Sequence, residues 1–200
     1  MKNKTIIIIL IILGVALLVL IGVYFIKQNK TTNQTPTGNG GAIEQPQSKI
    51  ITDDFSINLP AGWKQTAPAI GPSAMAINMN ENINDPAAQK INFKSYFAVS
   101  YDTLQGKNIN DYLQTVKNSL SQTISNVVFT NDQDMMISGS PAYAIEAELA
   151  QQGANFKILM VVVAGQGEDV WVISFNTIKS SWDEYKGTFY NIANSFILKK

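Results

Sequence analysis

Ile6 to Ile26 reads IIIILIILGVALLVLIGVYFI, an uncharged run of 21 residues with no polar side. As a helix it would extend about 31 Å, close to the hydrocarbon thickness of a bilayer. A helix of a small water-soluble domain needs a polar face and this one has none, so the segment is expected to be a transmembrane helix. A cleavable signal peptide has an apolar stretch of only about 7 to 15 residues, followed by small residues at the cut site. Here Tyr24, Phe25, Ile26 and Lys27 follow directly, and no cysteine is present to carry a lipid. Residues 1–26 are therefore read as a retained signal anchor that meets the membrane through Ile6 to Ile26. Lys2 and Lys4 precede the span and Lys27 and Lys30 follow it, so only the free amino terminus tips the positive-inside balance. The expected topology is a single-pass protein of a bacterial plasma membrane with its C-terminal part outside the cytoplasm.

Residues 27–49, KQNKTTNQTPTGNGGAIEQPQSK, contain almost nothing to bury and cannot offset the entropy of ordering. They are read as a flexible polar linker. The Gly38 to Gly41 cluster resembles a phosphate loop only superficially, since no strand precedes it and no Gly-Lys-Ser/Thr occurs in the chain. From Ile50 onward about 150 residues remain, enough for one core. This part holds ten lysines and 14 acidic residues, 10 − 14 = −4, which opposes binding to nucleic acid.

Composition removes several chemistries. All 15 basic residues are lysine, and the chain has no histidine and no cysteine. Thiolate nucleophiles, disulfides, Cys/His zinc sites, haem ligation by histidine and imidazole base catalysis are thereby excluded, as is the guanidinium fork. Neither Gly-x-Ser-x-Gly nor Ser-x-x-Lys occurs. No enzyme, no metal site and no cofactor are expected.

Along the domain, Asp54 to Leu59 alternates as a half-buried strand, and Pro60-Ala61-Gly62 then turns the chain into Trp63 as the start of a hairpin. Ala74 to Asn78 is a short strand, Asn78 to Pro86 an amide-rich loop, and Ile91 to Tyr101 a strand with Ile91, Phe93, Phe97, Val99 and Tyr101 on one face. Asn108 is suited to cap a helix, with Asp111 three positions later, and Ile109, Tyr112, Leu113, Val116, Leu120 and Ile124 recur at helical spacing. Four strands follow: Val127 to Ile137 with an irregularity at Asn131 to Asp134, Ala142 to Leu149, Asn155 to Ala164 and Val170 to Phe175. Their connections are short enough for antiparallel hairpins. Ile158 to Ala164 and Val170 to Phe175 barely alternate, so both their faces must be covered and both are expected at the centre of the sheet. A second helix, Ser181 to Phe196, is expected to start at a Ser181 cap and to bring Trp182, Tyr185, Phe189, Ile192 and Phe196 against the sheet. The fold class is α/β (α+β): an antiparallel sheet between helices, an αβα sandwich.

Two features occur together here. One is the opening strand and turn, Phe55-Ser56-Ile57-Asn58-Leu59-Pro60-Ala61-Gly62-Trp63, and the other is the closing helix with Trp182, Tyr185, Phe189, Ile192, Ser195 and Phe196. Together they resemble the PsbP-like, or Mog1–DcrB-like, α/β sandwich family over roughly Ile50 to Leu198, which makes 50–200 a PsbP-like domain. The resemblance implies a binding or assembly module without an active site, often held at a membrane or in the cell envelope, with a protein partner. Metal binding by the plant members uses histidine, which this chain lacks, and is not carried over. The alternative is a tethered accessory protein for transport that holds a small apolar ligand.

Several residues have both a chemical and a plain structural role open to them. Glu146 and Glu148 share a strand face as paired carboxylates would, but Tyr143, Ile145, Ala147 and Leu149 opposite them mark the core, so the glutamates are expected in solvent. Asn131, Asp132 and Asp134 offer hard oxygens for calcium without the rest of an EF-hand, and a turn is the expected reading. The series Asn78, Asn80, Asn82 and Asn84 with Glu81 and Asp85 is treated the same way. Trp171 and Trp182 are assigned to the core. Trp63, beside the loop carrying Ala69, Ile70 and Pro72, either forms a shallow apolar surface for a partner or ligand or closes the sandwich.

Overall fold

The computed structural model describes residues 48–68 and 71–199. The apolar run and the linker up to residue 47 lie outside the described residues. Among the described residues no helix is long and apolar enough to cross a membrane.

The elements in chain order are β1 (Ser48–Ile51), β2 (Phe55–Leu59), β3 (Trp63–Thr66), β4 (Ala74–Asn78), α1 (Pro86–Lys90), β5 (Tyr96–Thr103) and α2 (Ile109–Thr123). They continue with β6 (Val128–Ile137), β7 (Ser140–Gln151), β8 (Ala154–Ala164), β9 (Asp169–Ile178), α3 (Trp182–Asn194) and β10 (Ile197–Leu198). Seven strands form an antiparallel sheet in the order β3-β4-β5-β9-β8-β7-β6, and three form a small sheet in the order β1-β2-β10.

The uninterrupted apolar runs take the positions their composition requires. In β8, Phe156, Ile158, Met160 and Val162 enter the core beneath α1 and α2, while Leu159, Val161 and Val163 enter the core beneath α3. In β9, Val170, Val172 and Ile178 face the first core and Trp171, Ile173 and Phe175 the second. Each fully buried side chain of this kind contributes about 1.5–3 kcal/mol, so both faces of both strands are strongly constrained.

The two covering layers differ. One is helical: Tyr112, Val116 and Leu120 of α2 and Ala88 of α1 lie on the sheet. The other combines α3, through Trp182, Phe189, Ile192 and Ala193, with the inner face of the small sheet, through Ile50, Phe55, Ile57 and Leu59. Aromatic rings join its parts: Phe175 and Phe189 stack at 5.0 Å, and Phe55 meets Trp171 and Phe196 at 5.2 Å each.

Several local expectations are corrected. Pro60-Ala61-Gly62 is a corner between the two sheets and not a hairpin, because β2 pairs with β1 and β10 whereas β3 pairs with β4. Gly62 sits there at φ 82°, where a Cβ would lie 2.8 Å from the Asn80 side chain. The strand expected from Ile91 begins only at Tyr96, since Asp85 caps a short α1 by accepting from Ala88 N–H at 2.8 Å. Phe93 consequently enters the α2 core and Phe97 and Val99 the α3 core, on opposite sides of the sheet. β1 begins at Ser48, with Ser48 and Lys49 paired to Leu59 and Asn58 of β2. Ser181 makes no side-chain cap to α3, because a 3₁₀ turn over Lys179–Ser181 leads into that helix.

Candidate functional site

Strand pairing places Lys157 of β8 directly across from Glu148 of β7, with Glu146 as its diagonal neighbour. All three side chains lie on the α3 side of the sheet, where Lys186 and Tyr190 descend from the helix. Glu146 is only 2% exposed, which corrects its expected place in solvent: α3 covers this face of β7. Its Oε1 accepts from Tyr190 Oη at 3.0 Å and pairs with Lys186 Nζ at 3.2 Å, while Oε2 pairs with Lys157 Nζ at 3.3 Å. Glu148 pairs with Lys157 at 3.8 Å and with Lys179 at 2.6 Å, completing an alternating row of three lysines and two glutamates. Lys157 Nζ also lies 4.7 Å from the centre of the Trp182 ring.

Burial alone would raise the Glu146 carboxyl, but the bonds from Lys186, Tyr190 and Lys157 outweigh it and hold the group below its ordinary value of 4.5. The Tyr190 hydroxyl moves the other way, raised by burial and then by the neighbouring Glu146 charge. The phenol therefore keeps its proton and the carboxylate stays ionised at neutral pH. Such a pair fastens a helix to a sheet; it is not poised to exchange protons with a substrate.

A second polar cluster anchors the amide-rich loop. Glu81 is 7% exposed, and its carboxylate accepts the Ser95 N–H at 2.5 Å and the Ser95 hydroxyl at 2.7 Å. Lys94 bonds to the Glu81 carbonyl. The Tyr185 hydroxyl accepts from Asn78 Nδ2 at 3.0 Å, and burial followed by the Glu81 and Glu184 charges pushes its pKa up to about 12. Asn78 and Asp85 are occupied in turn and cap bonds. Among the described residues no group of three acidic side chains could hold a metal ion.

Across the sheet, Asp102 is 1% exposed and accepts from Tyr112 Oη at 2.9 Å and from Thr103 N–H at 2.8 Å. The residues singled out beside Trp63 are not gathered into a site. Trp63 is 8% exposed, its ring 5.7 Å from Phe97 and 6.3 Å from Phe189, where it closes the sandwich. Pro72 is half-buried, and Ala69 and Ile70 lie outside the described residues.

Sequence reasoning missed the outer edge of the large sheet. β6 ends the sheet, exposes Val128 and Met136, and shifts register between Phe129 and Asn131. The clue was the polar run Asn131-Asp132-Gln133-Asp134, which is a paired strand and not a turn. Between this edge and α2 runs a groove of about 210 Å³, lined by Asn110, Leu113, Lys117, Asp132, Asp134 and Tyr143 among others. Lys117 is paired with Asp132 across it.

No family model matches the sequence, and no curated protein does. Solved structures do match. The solution structure of the cyanobacterial PsbP protein CyanoP from Synechocystis sp. PCC 6803 superposes with a TM-score of 0.58 at 15% identity, covering 82% of this chain and 100% of that one. LpqN, involved in cell envelope biogenesis of Mycobacterium tuberculosis, gives 0.54 at 12% identity over 78% of this chain and 87% of its own. The Saccharomyces cerevisiae Ran-binding protein Mog1p gives 0.52 at 10% identity over 76% and 95%. With its seven-stranded antiparallel sheet packed between helices, the described domain has the Mog1/PsbP-like fold.

Proposed function

We propose that this chain is a membrane-anchored, extracytoplasmic binding or assembly module that acts on an envelope protein by surface contact and performs no chemistry of its own. The observation that carries the reading is the fold match, which spans nearly the whole of CyanoP and Mog1p and most of LpqN. Of these, Mog1p is described as a binding protein and LpqN by a role in envelope biogenesis. The state of the buried acids supports it: Glu81, Asp102 and Glu146 are each bonded to groups of the domain itself. The apolar run Ile6 to Ile26 supports the anchor.

The test is fractionation of cells producing the full chain, followed by external protease on spheroplasts. The expected result is a membrane-bound product whose folded part is digested only from outside. A product in the aqueous fraction, or a folded part protected from protease, overturns the anchored reading. A small molecule retained in a native mass spectrum of the detergent-solubilised chain would replace the protein-binding reading with ligand carriage.

A further inference from the structure

The two ends of the seven-stranded sheet are not alike. β3 is four residues long, a length that offers an incoming strand little to pair with, whereas β6 runs for ten. The hairpin joining β6 to β7 sets which backbone groups of β6 are left over. Ser138 and Gly139 both have positive φ, 50° and 85°, and Ile137 pairs with Ser140, so this is a two-residue turn. In such a hairpin the flanking pair exchanges both backbone bonds, and the ladder then alternates. Ile137, Met135 and Gln133 therefore bond to β7, while Met136, Asp134 and Asp132 turn their N–H and C=O outward. Among the described residues no strand pairs with this side of β6.

We infer that the β6 edge is the docking surface of the module, and that its occupant is an extended, lysine- or arginine-bearing segment of the partner protein, added as an eighth strand. This rests on the binding-module reading and names its surface. The outward backbone groups supply main-chain pairing, and the adjoining groove under α2 receives alternate side chains. Charge selects the chemistry: Lys117 is paired with Asp132, but Asp134 is exposed and makes no ion pair among the described residues. A second copy of this chain is the poorer occupant. Two-fold registers with the axis at residue 132, 133 or 134 would set Asp132 against Asp132, Asp132 against Asp134 or Asp134 against Asp134, and like charges directly opposite are destabilising.

The probe is a short acetylated peptide alternating lysine and valine, titrated into the full chain in detergent, with a glutamate and valine peptide as control. The lysine peptide should bind about tenfold more tightly and slow amide exchange at Asp132, Asp134 and Met136 while leaving Gln133 and Met135 unchanged. Asp134→Pro removes an outward N–H without touching the ladder to β7 and should weaken binding about tenfold. Should that variant fold poorly, Asp134→Lys keeps the backbone and should reverse the preference between the peptides. Absence of binding, equal affinity for both peptides, or binding without protection of the three amides overturns the proposal. Concentration-dependent protection of the same amides without peptide, with a doubled mass, assigns the edge to a second copy and also overturns it. Fractionation and protease accessibility test the anchored module independently, so failure of the peptide removes only the β6 surface.

Discussion

Two helices cover the large sheet from opposite sides, and each lowers a tyrosine hydroxyl onto a buried strand carboxylate: Tyr112 of α2 onto Asp102, and Tyr190 of α3 onto Glu146. The surroundings differ. Asp102 has only that tyrosine and the Thr103 amide, with no cation paired to it among the described residues, whereas Glu146 holds Lys157 and Lys186 as well. The helix starts differ in the reverse sense. Asn108 caps α2 by accepting the Asp111 N–H at 2.9 Å, but α3 follows a 3₁₀ turn with no side-chain cap. Both helices pack an apolar face on the sheet, α2 through Tyr112, Val116 and Leu120, but α2 has its first turn satisfied locally, whereas α3 lacks a side-chain cap and is fastened in addition by ion pairs and an aromatic layer.

The comparison breaks most directly at Glu146. Glu146→Ala leaves Lys157, 14% exposed in its side chain, without its close partner and should cost about 3 kcal/mol. At this size that lowers the unfolding midpoint by about 6–12 °C, readable by tryptophan fluorescence, since Trp63, Trp171 and Trp182 are all buried. A loss below about 1 kcal/mol would mean that the lysines simply turn to water. The same residue sets an acid limit. Its carboxyl is depressed in the folded state, so its contribution is complete above the ordinary value of 4.5 and is lost as pH falls through the lower folded value. Acid titration of stability should show this loss in the native protein and lack it in Glu146→Gln.

Next in size are the tyrosines. Tyr112→Phe removes the only side-chain donor on Asp102 among the described residues and should cost about 2 kcal/mol, while Tyr190→Phe leaves Glu146 its lysines and should cost about 1 kcal/mol. Equal losses in denaturant unfolding would show that the lysines on α3 contribute nothing the tyrosine does not. The smallest effects test the helix starts: Asn108→Ala should cost about 1 kcal/mol, and Ser181→Ala less than about 0.5 kcal/mol.

How much of this was readable beforehand depends on the range of the interaction concerned. α2 was legible at both ends, because its cap and periodicity lie within one segment, and β4 was legible as Ala74–Asn78. The central positions of β8 and β9 followed from apolar runs that demand cover on both faces. The small sheet was not legible: β2 lies between β1 and β10, and its Asn58 N–H donates to Ser195 Oγ, 137 positions away, a partner no local pattern reveals. Glu146 was misplaced for the same reason. Alternation along β7 correctly put it opposite Ile145 and Ala147, but only α3 decides that this opposite side is a second core. The edge of β6 was obscured because its polar run mimics a turn.

The amino-acid sequence by itself determined what this chain cannot do by imidazole, thiolate or guanidinium chemistry, the apolar run at its start, and the sandwich-forming order of its strands and helices. These depend on residue type and short-range periodicity, which need no knowledge of distant neighbours. Tertiary structure alone decided that Glu146 is buried against lysines, that Trp63 closes a core, and that β6 has an open side. Those outcomes arise when segments far apart in the chain meet, and the free energy of burying or exposing a group depends on what it meets.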